Sequence, residues 1–154
     1  MDISVSPARV LIADNDYGAE YEGYFTSAVD TAGWSYYHHD VYECGESVVY
    51  ILDEFPFGTV LIWFTGTQEE TLTQEEQDSL AAFLDRGGRL FLTGQNIAED
   101  LSDQGSVFLT EWLHTHYGGN TTKKYAQGFP DDPVFDGFLL RTEGSGGADD
   151  QYSR

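Results

Sequence analysis

"TVLIWFTGTQEETLTQEEQDSLAAFLDRGGRLFLTG", residues 59–94, reads as strand, helix, strand. Within residues 59–66 the side chains of 60–64 are consecutively apolar, the pattern of a strand covered on both faces. Thr73 and Glu76 then form a capping box. The Thr oxygen takes the amide three residues on, and the Glu reaches back to the Thr amide. Leu80, Phe83 and Leu84 share one helical face. Arg86 suits the negative helix end, and Gly87-Gly88 stop the helix. "RLFLTG", 89–94, is strand again. Two buried strands joined by a helix make a parallel pair with a right-handed crossover.

The same alternation extends outward. "ARVLIAD", 8–14, is a second buried strand. A helix over 20–32 follows, with Tyr21, Tyr24, Phe25, Ala28, Val29 and Ala32 on one face and Gly33 ending it. "SYYHHDVY", 35–42, is a weaker strand, and a short helix over 46–55 turns Val48, Ile51, Leu52 and Phe55 inward. Helical pattern resumes after Asn96, breaks near Gly105 and returns in "SVFLTEWLH". "TKKYAQ" and "GFLLRT" read as short strands, and 143–154 as a polar tail, a connection cut short. The expectation is one domain over 1–154, with its core in 8–142. It is an α/β chain, a three-layer α/β/α sandwich on a mainly parallel, flavodoxin-like sheet in the order 2-1-3-4 plus a C-terminal strand.

Composition bounds the function classes. Of 154 residues, 27 are Asp or Glu and 7 are Lys or Arg, for a net charge of -20. Such a surface repels nucleic acid and anionic membranes, keeps the chain soluble and attracts cations. It suits an extracellular protein, or the cytoplasm of a salt-adapted organism. No apolar run approaches the roughly 20 residues of a membrane helix, so no membrane insertion is expected. The opening "MDISVSPARV" lacks a basic stretch followed by an apolar core, so no signal peptide is expected there. Cys44 stands alone, which excludes an internal disulfide and a Cys-based zinc site.

In a parallel sheet of this kind, ligands bind at the carboxyl ends of the strands. Three segments converge there: Asp14-Asn15-Asp16, Thr65-Gly66-Thr67 and Thr93-Gly94-Gln95-Asn96. Asp14, Asp16 and Glu20 offer hard oxygen ligands for calcium or magnesium. The EF-hand pattern is not met, because Gly18 falls one position early and the twelfth position is Phe25. The structural alternative is that Asp16 caps the helix and Glu20 favours its positive end. "VLIADND" also resembles the start of response-regulator receivers, whose paired acids hold magnesium. The next strand, however, ends Ile62-Trp63-Phe64-Thr65 without a phosphoacceptor carboxylate, and Lys123 and Lys124 sit in an irregular segment.

Other chemistry is thinly represented. His38 and His39 point to opposite strand faces. His114 and His116 flank a helix end, and a metal there would take His116 with a nearby carboxylate. No G-x-S-x-G elbow, P-loop or dinucleotide fingerprint occurs. The aromatic residues are expected mainly on inward faces, as core rather than as a glycan platform.

The runs "VLIADNDYGAEYEGYFTSAVDTAGWSY", "VLIWFTGTQEETLTQEEQDSLAAFLDRGGRLFLTGQNIAEDL" and "DDPVFDGF" together resemble a class I glutamine-amidotransferase-like domain. The resemblance is to the version embedded in large secreted bacterial proteins, and the ThuA-like (trehalose-utilisation) proteins share the layout. It implies the flavodoxin-like fold. It does not carry the activity over, because Thr93-Gly94-Gln95-Asn96 occupies the turn that would hold the nucleophilic cysteine. Cys44 follows a different strand, and no His-x-Glu pair follows downstream. The expectation is a non-catalytic accessory or interaction domain of a secreted multidomain protein, with a calcium or magnesium site at the strand-1 loop. Its partners would be other domains of the parent, or an extracellular protein or glycan. The competing expectation is a hydrolase-like enzyme using Asp14, Gln95 and Asn96 at the strand ends.

Overall fold

Strand β1, Val10–Asp14, is buried along its whole length. The computed structural model, which describes residues 10–119 and 125–141, pairs it on both sides. Strand β2, Tyr36–Asp40, lies on one flank and β3, Val60–Phe64, on the other. Strand β4, Arg89–Thr93, closes the order β2-β1-β3-β4, and every pairing is parallel. The consecutive apolar runs of β1 and β3 follow from their interior places in the sheet. The outer side of β4 has no strand partner among the described residues.

Alternate residues of the strands feed two cores. On one face, Val10, Ile12 and Phe64 meet Val29 and the partly buried Phe25 of helix α1, Glu22–Thr31. Phe25 stacks on Phe64 with ring centroids 4.4 Å apart. On the other face, Leu11, Ala13, Leu61 and Trp63 pack with Val48, Leu52, Leu80, Phe83 and Leu101. These come from a 3-10 helix at Val48–Glu54, from α3, Gln74–Asp85, and from α4, Ile97–Asp103. Helix α5, Val107–Glu111, adds Phe108 and Leu109. The sheet with helices on both faces is the expected flavodoxin-like architecture.

The capping box is formed as expected: Thr73 Oγ1 accepts from the Glu76 amide, and Glu76 accepts from the Thr73 amide. Three local expectations are corrected. The helix over 46–55 is a 3-10 helix, preceded by a separate four-residue helix α2, Val41–Cys44, whose N-cap is Asp40. Helix α1 starts two residues later than expected, at Glu22, with Tyr21 at its cap and no side-chain capping bond. Its inward stripe is also narrower, because Tyr21, Tyr24, Ala28 and Ala32 are exposed and only Val29 is fully buried. Among the described residues, α1 is the helix that packs on that face's core, and the positions flanking Phe25 and Val29 are exposed.

The chain divides into two compact units, Met1–Tyr117 and Gly118–Arg154. The sheet and its helices lie in the first. In the second, β5, Tyr125–Gln127, pairs antiparallel with β6, Leu139–Arg141. The expected C-terminal strand therefore pairs with β5 and not with the four-stranded sheet. The segment joining them holds Gly128, Pro130, Pro133 and Gly137, which is turn chemistry, not a crossover helix. The start of the first strand at 8–9, the Lys123 and Lys124 segment and the tail 143–154 lie outside the described residues.

Candidate functional site at the strand ends

The loop after β1 folds on its own carboxylates. Asp14 Oδ1 accepts from the Asp16 amide at 3.4 Å. Asp16 accepts from the Gly18 amide at 3.0 Å and from the Tyr21 amide at 3.3 Å. Asp16 thus closes the loop ahead of α1 without serving as its N-cap. The loop turns through left-handed backbone at Tyr17 and Gly18, and Gly18 suits that conformation because it has no Cβ.

This folding gathers three acids. Single carboxylate oxygens of Asp14, Asp16 and Glu22 lie within 4.8 Å of one another. Asp14 and Asp16 are only 3% and 4% exposed. Glu22, in the first turn of α1, takes the place expected for Glu20, which is exposed and lies before the helix. The cause is the later helix start, which turns position 22 toward the loop. Burial, then the Asp16 charge beside it, pushes the Asp14 carboxyl up to about 6. The neighbouring Asp40 adds to that rise, while bonds from His38 and from the Asp16 amide oppose it. His38 Nε2 is 3.2 Å from Asp14 Oδ2. His39 points the other way, with Nε2 2.8 Å from the Glu46 carbonyl oxygen, so the expected opposition of the two rings holds.

The other two loops close against each other. The Thr65 amide donates to the Thr93 carbonyl, and the Gln95 amide donates to the Gly66 carbonyl. The Asn96 side-chain amide donates to the carbonyls of Thr67 and Gln68. A Cβ at Gly94 would run into Thr65 Oγ1. A Cβ at Gly66 would lie 3.0 Å from Asp16 Cβ and 3.1 Å from the Tyr21 ring. These glycines are there for close approach. Asn15 is half-buried beside the acids, its amide bonded to the Phe64 carbonyl. The expected strand-end residues therefore separate into an acidic set around Asp14 and a packed set around Thr65, Gly94 and Asn96. Two of the surface hollows among the described residues lie elsewhere. One, of about 210 Å³, is lined by residues such as Phe129, Phe135 and Phe138, and the other, of about 460 Å³, by Asp85, Glu111, Trp112 and His114.

Glu22 and the tyrosines at 17 and 42 were the site features not marked by sequence reasoning, and His38 was read only as facing away from His39. Glu22 had a signal, a second carboxylate two residues beyond Glu20 in the same acid-rich turn, but the boundary of α1 decided it. Among the described residues, no helix is long and apolar enough to cross a membrane. Comparison with protein-family models, with curated proteins and with solved structures returns no match.

Proposed function

We propose that this chain is a non-catalytic, cation-binding accessory domain of a secreted multidomain protein, of the amidotransferase-like layout. The observation that carries the reading is the meeting of Asp14, Asp16 and Glu22 with two of the three buried. Buried like charges repel, and a divalent ion removes that repulsion. Calcium takes six to eight oxygens, so three carboxylates, backbone carbonyls and water make a suitable shell. Magnesium is the second candidate, with more of its water retained. The acidic composition and the absence of a cysteine from the Thr93–Asn96 turn support a binding module over amidotransferase chemistry.

One observation favours the enzyme reading: a carboxyl raised to about 6 suits a general acid or base. Against it, Asn96 holds the Thr67 and Gln68 carbonyls. That leaves its amide engaged in closing the loop.

The test is thermal unfolding in EDTA, then with calcium or magnesium, against a sodium chloride control and with the Asp14→Asn/Asp16→Asn variant. The expected outcome is a divalent-specific rise that the variant lacks, worth about 2.7 kcal/mol at a hundredfold excess over Kd. A rise no larger than the monovalent control rejects the cation site.

A further inference from the structure

The loop that gathers the acids also carries an aromatic surface. Tyr17 and Tyr42 are 74% and 61% exposed, and their rings touch, with centroids 5.3 Å apart at 59°. The Tyr42 ring lies against Gly18, where a Cβ would come within 3.2 Å of it. Tyr21 flanks the other side of the loop, its ring beside Gly66 and its amide on Asp16. So Tyr17 and Tyr42 make a joined aromatic surface on the acidic loop, with Tyr21 at the loop's Gly66 side. Exposed tyrosine costs little side-chain entropy to order and offers an apolar body with a polar tip, which is why it is enriched at interfaces. The expectation that the aromatics are mainly core does not hold here.

Charge says what such a surface accepts. Residues 10–85 contain no Lys or Arg at all. The 10–46 segment, which builds the loop, α1, β2 and α2, holds eight Asp or Glu residues. Glu20 and Glu43 lie exposed beside Tyr21 and Tyr42 in sequence. An aromatic ring face attracts a cation, and a guanidinium also stacks flat upon it. We propose that the Tyr17–Tyr42 surface docks an arginine-rich segment of a partner protein. The guanidinium groups stack on the tyrosines while the surrounding carboxylates take their charge. This goes beyond the cation reading and does not depend on it.

The test uses the whole 154-residue chain, in EDTA and at physiological ionic strength, titrated with a synthetic arginine–glycine peptide and with its lysine counterpart. Tyr17→Ser/Tyr42→Ser leaves every charge in place. It is expected to weaken the arginine peptide by about tenfold or more, as loss of aromatic anchors does. Tyr50→Ser is the control, an equally exposed tyrosine beside Glu75, and is expected to bind like the parent. The arginine peptide is also expected to bind several-fold tighter than the lysine one, and its amide shift changes in the unsubstituted chain to centre on 17–22 and 41–43. That mapping stands even if the double variant unfolds. Equal binding of both peptides with no loss in the variant means diffuse charge attraction and overturns the proposal. So does absence of binding, or a neutral oligosaccharide that binds in its place and is lost in the variant.

Discussion

His38 reaches along the sheet to Asp14: it pairs in register with Ile12, yet its Nε2 is 3.2 Å from the Asp14 carboxylate two residues further on. The histidine is one restraint on an acid otherwise surrounded by Asp16, Glu22 and Asp40. Three consequences of the strand-end geometry can be measured.

The first concerns pH. Because the folded Asp14 carboxyl is raised to about 6, the native state keeps a proton that the unfolded chain has already released. The stabilisation this gives is complete below the ordinary carboxylate range and is lost as pH rises to about 6, the folded value. The expected outcome in EDTA is that Asp14→Asn is more stable than the parent at pH 7 by about 1–2 kcal/mol. The gap between the two should shrink toward pH 4. Urea unfolding across that range measures it, with the parent-minus-variant difference removing the general effect of the acidic surface.

The second separates the two glutamates. If the ion sits among Asp14, Asp16 and Glu22, then Glu22→Gln weakens calcium by about tenfold or more, since ligand charge sets affinity. Glu20→Gln should stay within about twofold. Binding requires the ionised carboxylate and therefore expels the Asp14 proton. Calorimetry in buffers of differing ionisation enthalpy should show proton release near pH 6 and none near pH 8.

The third tests the packed half of the strand ends. Gly94→Ala places a Cβ on Thr65 Oγ1, a buried hydroxyl without a hydrogen-bond partner among the described residues. The expected cost is about 1–3 kcal/mol, as for other overpacked sites. Thr65→Ala in the same chain should recover most of it, and the double-mutant cycle by chemical denaturation gives the coupling.

Sequence patterning reached the sheet because β1 and β3 are buried on both faces and read as unbroken apolar runs. The capping box at Thr73 and Glu76 was equally visible, because it is a local pattern with a fixed spacing. The 3-10 helix at Val48–Glu54 was not, since its inward residues fit an α-helical spacing as well. The helical stripe of α1 misled most. Its tyrosines fall at core spacing, yet among the described residues no second helix joins α1 in that core, so the positions flanking Phe25 and Val29 are exposed. The acidic loop was legible as a set of ligand types. Which glutamate joins it depended on where α1 begins, a boundary set by Asp16 holding the Tyr21 amide. The expected strand order already set β2 beside β1, but His38 facing Asp14 required their register as well.

The outer rim of β4 has a consequence of its own. Among the described residues no strand pairs with that rim, and an unpaired row of amides and carbonyls is a template on which another molecule's strand can grow. Two devices oppose it here. The strand is only five residues long and opens on Arg89. Any second copy that approaches it brings a charge of -20 against a charge of -20. The same acidity that attracts counter-ions thus opposes the approach of a second copy along this edge.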